Sequence, residues 1–544
     1  MQHSGEVEKC DVVATHTEYN VEDKVVGKQH IAGSALLIDR DGRVRKLPIP
    51  SNDANDPLNW KTWEKAAVVF CCCWFSFNSL AIISSLGSVL EVFFGMYAPS
   101  GRKPGEIAML LTLPSLCIGL GNFILLPVAL AFGRRPVFIV SIIILLAAIF
   151  GAALQNSYNA HLGTRVLAGL ATGATESVLP LMLTEITFLA DRGRIMGLYW
   201  GSQNLLTAVL SIAASYEVAA LGWRWYYWVF AITIGAGLVF VLLGAFETSF
   251  QRPLANIDGQ VVVTNEFGIT QVMPDDQAQD YLGRANARGG LNDEPGTLRK
   301  SYGQSLVPWS TPRPHPVRLI LRTWLQMTIS LTSPALLFVV LITSAALSGV
   351  IFQSLTYATT LIGVGWAPKD LGLINVGSIV ASVIAMGYSA LVADPLMLWL
   401  ARRAHGVHQP EHRLIPMAPV LLLGFSMHIV FGFSSHSAWG TIVSYTLSNA
   451  AFIAILIMSS TFAAEVTPKH PGPAIVMVIG SKNIISFGVT HALSSTIGLH
   501  SLKWSFGVFA GVYGGVALLC VPVYLLNPWW RAYVSKADTQ AQSD

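Results

Sequence analysis

The chain has 544 residues, of which 53% are hydrophobic and only 12% are charged, about half the roughly 25% of charged residues that is usual in soluble domains. Its mean hydropathy is +0.53, and so few charges cannot cover the surface of a soluble fold of this size. The formal net charge of +3 is too small to indicate a nucleic-acid partner. Composition therefore excludes a soluble protein and predicts an all-α membrane protein that uses the lipid bilayer as its solvent.

Residues 1–64 are polar and form a predicted N-terminal tail. The tail has no signal-peptide layout, so the first apolar helix must itself direct insertion into the membrane. Pro57 and the pair Trp60 and Trp63 predict an extended segment that turns at the membrane interface before that helix begins.

Twelve apolar windows are each long enough to cross a hydrocarbon core of roughly 30 Å. Six precede a polar stretch and six follow it, which predicts an N-terminal half at 65–247, a central loop at 248–330, a C-terminal half at 331–526 and a tail at 527–544. The windows run at about 65–90, 107–130, 137–155, 161–188, 196–220, 226–246, 333–358, 370–392, 415–434, 438–463, 473–497 and 504–526.

The basic residues predict the orientation of the chain. Of the 34 lysines and arginines, nine lie in residues 1–65, eighteen in the even-numbered connections and C-terminal tail, and five in the odd-numbered connections. Because basic residues stay with the cytoplasmic side, both termini and the central loop are expected in the cytosol. The Gly/Asp/Asn-rich middle of the loop is expected to be a disordered linker and not a domain.

Polar residues follow a three-helix rhythm. The third, sixth, ninth and twelfth windows are almost uniformly apolar, whereas the others carry polar side chains that are costly in hydrocarbon unless they face protein or water. We therefore expect every third helix to face lipid while the others surround a cavity, although small polar residues also hold helices together. The candidate substrate-cavity residues are Asn78, Gln203, Asn204, Gln353, Tyr357, Asn449 and Lys482.

The two halves echo each other. The fourth helix ends near Glu185 and the tenth near Glu465, in similar local sequences. The second helix is followed by Arg134 and Arg135, and the eighth by the pair at 402–403. Parallel repeats of this sort place a transport site between two rocking halves.

Several short motifs carry a resemblance to a known family. From about residue 55 to about residue 530, the chain resembles the major facilitator superfamily, specifically fungal twelve-helix drug:proton antiporters. The resemblance implies two six-helix halves, a small-molecule substrate, protons as coupling ions, a monomer and no cofactor. The matching segments are Asp56-Pro57-Leu58-Asn59-Trp60, Gly133-Arg134-Arg135-Pro136-Val137, Gly222-Trp223-Arg224-Trp225, Glu247-Thr248, and Lys482-Asn483 followed by Phe487-Gly488.

The chain departs from the family pattern at two motifs. In the cytoplasmic gating motif, Leu130 and Ala131 replace the acidic and first basic positions, so the latch needs another carboxylate, for which Glu185 is the candidate. The alternative is that the two arginines only anchor the topology. The predicted gating residues are Gly133, Arg134, Arg135, Glu185, Arg192 and Glu465.

The second departure is the Gly-Pro motif of helix 5, which the family associates with export. It is absent from residues 208–215. The direction of transport is therefore open, and the resemblance is also close to a branch that contains polyamine and cation importers.

Helix 4 carries two charged side chains on one stripe, the strongest indication of a coupling site in the sequence. Arg165, Gly169, Thr172 and Glu176 lie on one stripe, with Arg165 and Glu176 about 16 Å apart along the axis, too far for a direct pair. Arg165 matches the arginine of the family's helix-4 motif. A carboxylate in a cavity can bind and release a proton, so Glu176 and Arg165 are the predicted proton-coupling residues; the alternative for Glu176 is a structural hydrogen bond.

Four other polar side chains and a run of cysteines also need an interpretation. Lys482 is predicted either to bind an anion or carboxylate, or to be a structural partner of Glu176 or of backbone carbonyls. Glu217 is interpreted as an interfacial residue, and His428 and His491 as packing residues and not proton relays. The run Cys71–Cys73 lacks metal-ligand spacing and is interpreted as packing.

The favoured function is proton-coupled efflux of a small organic compound, such as a secondary metabolite or drug, across the plasma membrane or the vacuolar membrane. Uptake of polyamines or other organic cations is the alternative within transport, and a transporter-like solute receptor is the alternative of another class. The sequence has no P-loop, nucleophile elbow or metal cluster, so we predict no enzyme, no catalytic residues and no metal.

Overall fold

Twelve long apolar helices make up most of the computed structural model. It describes residues 50–51, 53–250, 255–257, 260–264, 270–272, 299–310, 312–403, 409–434, 436–467, 471–496 and 500–543. Within these residues, twelve helices are long and apolar enough to cross a membrane, six on each side of the central loop. We number them spans 1 to 12: Thr62–Ser100, Pro104–Phe132, Arg134–Leu154, Tyr158–Glu185, Arg194–Leu221, Trp223–Gly244, Pro334–Gly363, Pro368–Met397, Pro410–Phe433, Ala438–Ala463, Gly472–Ser494 and Leu502–Arg531.

Most spans are single α-helices, and four combine several helical segments, among them span 9, in which 3-10 helix Pro410–Arg413 precedes α-helix Leu414–Phe433. Span 1 consists of helices Thr62–Ser84 and Leu86–Tyr97, with a short 3-10 turn after them. Span 8 combines a 3-10 helix at Pro368–Asn375, α-helix Val376–Tyr388, a π-helical turn at Ser389–Ala393 and α-helix Asp394–Arg403. Span 12 combines Leu502–Leu518 with Cys520–Ser543. Each predicted window coincides with one of the twelve spans, although several spans, spans 1 and 12 among them, extend beyond the predicted ends.

The central loop contains more regular structure than expected. Three short antiparallel strands, Ala255–Ile257, Gln260–Thr264 and Thr270–Val272, pair in chain order. The loop ends in the 15-residue helix Pro316–Ser330, here called the connecting helix. The three strands depart from the expected disordered linker, and the β-branched run Val261–Val263 in the second strand favours this conformation. The rest of the expected linker, and residues 1–49, lie outside the described residues.

Glycine and serine determine two kinds of helix junction. Gly133 joins spans 2 and 3 with φ +106°, and Gly222 joins spans 5 and 6 with φ +88°; side chains rarely adopt this left-handed conformation. On the side of the bundle that also holds Gly222, Ser157 and Ser437 cap the first turns of spans 4 and 10 through their hydroxyl groups. The connections can therefore stay short.

The two halves meet through particular spans. Spans 2 and 11 pack along each other, and spans 5 and 8 and spans 1 and 7 also meet. Spans 3, 6, 9 and 12 pack mainly against neighbours in their own half, which fits the predicted periphery. Because the spans number twelve, the start of span 1 and the end of span 12 lie on one face of the bundle, here called the terminal face; the other is the opposite face.

Candidate functional site

A buried ion pair joins the halves in the middle of the bundle. Lys482 Nζ of span 11 lies 2.7 Å from Glu176 Oε1 of span 4, and the two side chains are 4% and 12% exposed. Glu176 is nine residues before the end of span 4, which places it about 14 Å from the terminal face. The structure pairs Lys482 with the Glu176 carboxylate, a contact that both predictions for Lys482 include.

Two amides complete the surroundings of Glu176. Asn483, next to Lys482 in span 11, donates from Nδ2 to Glu176 Oε2 at 2.7 Å, and Asn122 of span 2 donates to the same oxygen at 3.3 Å. The carboxylate therefore accepts from one ammonium and two amides. Sequence reasoning missed Asn122, because a single Asn in an apolar helix carries no signal of its partner.

Arg165 lies farther toward the opposite face and binds backbone. Its guanidinium donates to Leu110 O of span 2 at 3.0 Å and to the carbonyls of Ile82 and Ile83 of span 1 at 2.7 and 3.0 Å. The helix of span 1 is interrupted near Ser85, so carbonyls there need other donors. The structure thus places Arg165 as a clamp of spans 1, 2 and 4, separate from Glu176, as the predicted distance requires.

The predicted cavity residues separate into buried and exposed ones. Asn78 and Gln353 are fully buried, and each has one side-chain oxygen with no hydrogen-bond partner among the described residues. Asn122 has the same feature. Buried acceptors of this kind require donors, which water or a bound solute with N–H or O–H groups supplies. These three acceptors come from spans 1, 7 and 2; the Gln353 amide lies within the C-terminal half, where its Nε2 donates to Ser448 Oγ at 3.0 Å.

The remaining predicted cavity residues vary more in position. Tyr357 is buried and packs edge-on against Tyr445, with ring centroids 5.7 Å apart. Asn449 donates to its own helix at Tyr445 O, and Gln203 is buried. Asn204 lies on an exposed face and donates to Trp200 O, so the structure does not bring it together with the others.

The buried histidines lie among aromatic rings. His428 packs against Phe509 and Tyr513, and its Nδ1 lies 3.3 Å from Gln353 Nε2. A Cβ added at Gly349 would lie 2.4 Å from the His428 ring, so the glycine is required for this contact. His491 stacks on Phe487. These contacts agree with the packing interpretation.

One buried histidine was missed by sequence reasoning. His161, in span 4 one turn before Arg165, lies between Tyr97 and Tyr227: its Nδ1 is 3.1 Å from the first hydroxyl and its Nε2 is 2.6 Å from the second. The three side chains link spans 1, 4 and 6 near the opposite face.

At the terminal face, Arg134 and Glu185 form a buried ion pair. Arg134 Nη2 lies 2.6 Å from Glu185 Oε1, with the side chains 1% and 7% exposed. The other carboxylate oxygen accepts from the Thr248 hydroxyl at 2.5 Å. All three residues belong to the N-terminal half, so this pair does not itself bridge the two halves.

Glu247, at the end of span 6, caps span 3. Its two carboxylate oxygens accept from the backbone N–H groups of Arg134 and Arg135 at 3.0 and 3.1 Å, where a negative charge is favourable at a helix N-terminus. Arg135 donates to Leu242 O and Ser305 O, and Ser310 packs so closely on Gly133 that an added Cβ would be 1.8 Å from its hydroxyl.

The C-terminal half repeats this arrangement with different residues. Arg413, in the first turn of span 9, forms a two-point pair with Glu465, just after span 10, at 2.8 and 2.5 Å. The pair at 402–403 follows span 8, as predicted, but in this half it is Arg413, at the start of span 9, that forms the ion pair corresponding to Arg134–Glu185. Next to it, Glu411 binds Asn527 and Arg531 of span 12.

The last predicted gating residue, Arg192, follows span 4. It donates from Nη2 to Thr184 O at 3.2 Å and so binds the carbonyl end of that span. Like the Arg134 pair, this contact stays within the N-terminal half.

Close approach of backbones brings the halves together elsewhere. A Cβ on Gly119 of span 2 would lie 2.6 Å from Gly480 O of span 11. At the opposite face, a Cβ on Gly372 would lie 2.4 Å from Ser215 Oγ of span 5, and Tyr216 donates to Asp370 at 3.0 Å. The halves are thus in contact at the centre and at the opposite face.

Twelve spans in two halves, with polar groups meeting between them, define a membrane transporter of the alternating-access type. The model of the Major Facilitator Superfamily matches residues 66–487. The chain therefore belongs to this superfamily and is a multi-pass membrane transporter.

Named relatives and a solved structure agree with this assignment. The chain is 23% identical to an uncharacterized MFS-type transporter, C1271.10c, of Schizosaccharomyces pombe, over 93% of this chain and 91% of the relative. It is 21% identical to the efflux pump radE of Floropilus chiversii, over 96% and 91% of the two chains. A POT family transporter solved with 5-aminolevulinic acid shares the fold with a TM-score of 0.59 at 12% identity, over 85% and 96% of the chains.

Proposed function

We propose that the chain exports a small organic compound in exchange for protons, and that the Glu176–Lys482 pair couples the two movements. The pair is the observation that carries the proposal, because it joins the two halves at mid-depth. A protonated Glu176 has no charge to hold Lys482. The attraction between spans 4 and 11 then weakens, and the relative free energies of the two facing states change.

The surroundings of the pair favour proton exchange over a dedicated cation site. Lys482 already pairs with the Glu176 carboxylate, which also accepts from two amides, so a cationic substrate would have to compete with an ammonium group. The buried acceptors on Asn78, Asn122 and Gln353 supply polar contacts for a neutral solute. The name of the radE relative supports export.

The same proposal assigns the orientation of the chain in the membrane, its oligomeric state and the membrane in which it works. The terminal face lies in the cytosol, because basic residues concentrate there. Substrate enters from that side, a proton enters from the acidic opposite side, and the protein works as a monomer in the plasma membrane or the vacuolar membrane.

Glu176→Gln tests this coupling, because it keeps the shape of the side chain and removes its proton equilibrium. Inside-out vesicles from cells that express the chain would be incubated with a mixture of fungal metabolites, with and without an acidic interior. Mass spectrometry then identifies compounds that accumulate only with the gradient. We expect the variant to lose accumulation by at least tenfold while exchange of pre-loaded compound continues in part.

Glu106→Gln is the matched control, because the Glu106 carboxylate, in the first turn of span 2, is 40% exposed and far from the Glu176 pair. It should accumulate the same compounds as the unmodified protein. Undiminished gradient-driven accumulation by Glu176→Gln would contradict the proposal.

A further inference from the structure

The connecting helix, Pro316–Ser330, has an apolar face that no described part of the chain covers. Val317, Leu321, Leu325 and Ile329 are between 50% and 67% exposed. At 100° per residue they lie on one arc of the helix. Thr323, Met327 and Ser330 form the opposite arc and are buried. An exposed arc of this composition requires an apolar environment.

Two arginines border the exposed arc on one side. Arg318 and Arg322 are one turn apart and exposed, and on the helical wheel they flank Ile329, at the edge away from Val317 and Leu321. An apolar face with cations along its edge is the pattern of a helix that lies in the membrane interface, where the cations reach anionic headgroups.

The contacts of the connecting helix with span 2 place it at a depth where it can contact lipid. Arg313, just before it, donates its backbone N–H to Ala131 O at the terminal end of span 2. Eleven residues later, Trp324 Nε1 donates to Phe123 O of the same span at 2.7 Å. Ala131 and Phe123 are about 12 Å apart along span 2, so the helix descends obliquely from the terminal face into the depth occupied by lipid.

The buried arc of the helix contacts both halves. Met327 packs in a small cluster with Leu126 and Leu130 of span 2, Leu181 of span 4 and Val476 of span 11. This cluster is separate from the main core. A ligand on the exposed arc is therefore linked, through Met327 and this cluster, to the contact between spans 2 and 11, where the halves meet.

We propose that the connecting helix is a binding surface for anionic phospholipids of the terminal-face leaflet, with Leu321, Leu325 and Ile329 among the acyl chains and Arg318 and Arg322 on the headgroups. Lipid bound there clamps spans 2 and 11 and makes their relative movement sensitive to the charge of the leaflet. This proposal does not depend on the transported compound or on proton coupling.

Quenching by brominated lipids tests the surface in the full-length protein. A fluorophore is attached at Leu325→Cys in a Cys10→Ser background and the protein is placed in bilayers of phosphatidylcholine and phosphatidylserine, with bromine on the acyl chains of one lipid at a time. We expect quenching at position 325 but not for a label at Lys300→Cys, which lies on the exposed segment before the helix. Brominated phosphatidylserine should quench position 325 more strongly than brominated phosphatidylcholine.

The arginines are tested by Arg318→Gln/Arg322→Gln, which should reduce the preference for phosphatidylserine by about fivefold or more. Lys369→Gln/Lys503→Gln removes the same charge at exposed sites on the opposite face and should leave the preference unchanged. If the arginine variant aggregates, high salt on the unmodified protein provides the same test, because it screens headgroup attraction.

Two results would overturn the proposal. Absence of quenching at position 325 would mean that water or protein covers the helix. Equal quenching by the two lipids, with no effect of salt or of the arginine substitutions, would mean that the surface does not select anionic headgroups.

Discussion

Glu176 and Lys482 illustrate how an ion pair is maintained at mid-membrane depth. Each charge is almost completely removed from solvent, and each is compensated mainly by the other. Removing one partner of a buried pair is strongly destabilising, since the remaining charge stays desolvated. Removing both leaves two neutral groups of similar size, so the pair is a sensitive point both for stability and for coupling.

We expect Lys482→Met to lower the free energy of unfolding by about 3–5 kcal/mol. The double variant Glu176→Gln/Lys482→Met should recover most of that loss. Thermal unfolding of the purified proteins in one detergent measures the difference. Equal melting temperatures for the single and double variants would mean that the charges do not depend on each other.

At the scale of helices, three ion pairs with different burial offer a graded comparison. The pair Arg134–Glu185 is 1% and 7% exposed, Arg413–Glu465 is 18% and 27% exposed, and Arg102–Glu106 is 36% and 40% exposed. The first two connect the start of one span to the end of the next in the N- and C-terminal halves, whereas the third is a surface pair between Arg102, just before span 2, and Glu106 in its first turn. The extent of burial should determine how much each ion pair contributes to the free energy of unfolding.

Substituting each of these arginines by Gln should lower the melting temperature in the order Arg134, Arg413, Arg102. A buried carboxylate left without its partner costs about 3–5 kcal/mol, and an exposed pair contributes about 0–1 kcal/mol. The same detergent-based unfolding measurement applies to all three variants. An effect of Arg102→Gln as large as that of Arg134→Gln would refute the order.

Spans 2 and 11 approach each other through glycine. Gly119→Ala would place a Cβ 2.6 Å from Gly480 O, so we expect the two spans to move apart and the halves to adopt their other facing state more often. Gly488→Ala, on span 11 with no atom within 4 Å of the added carbon, is the control. Distances between spin labels on the opposite-face ends of spans 5 and 8 would report the change; unchanged distances in Gly119→Ala would contradict it.

At the scale of the whole molecule, the prediction to test is the orientation of the chain in the membrane. We expect a cysteine at position 369, on the opposite face, to react with an impermeant maleimide added to intact cells. A cysteine at position 300, on the terminal face, should react only after the membrane is opened. Both positions are exposed, so accessibility of the side chain itself does not limit labelling. The reverse pattern would invert the topology and, with it, the proposed direction of proton entry.

Much of this architecture follows from local sequence. The bilayer imposes a minimum apolar length on every span, so a hydropathy count finds all twelve and the break between the halves. The polar stripe on span 4 identifies Glu176 and Arg165 for the same reason, because the helical period is a local property. The arginines at 134 and 135 and the carboxylate Glu185 were likewise found from motif positions within one half.

Tertiary structure alone decided which of these groups meet. Lys482 is 306 positions from Glu176, and no helical period relates spans 4 and 11; only the packing of the two halves brings an ammonium, a carboxylate and Asn122 together. The same holds for Arg413. Its pair with Glu465 corresponds to the pair Arg134–Glu185 in the other half, and only the packing of the spans brings its two partners together. Sequence determines which side chains each helix presents, whereas contacts between distant helices depend on packing that no local pattern records.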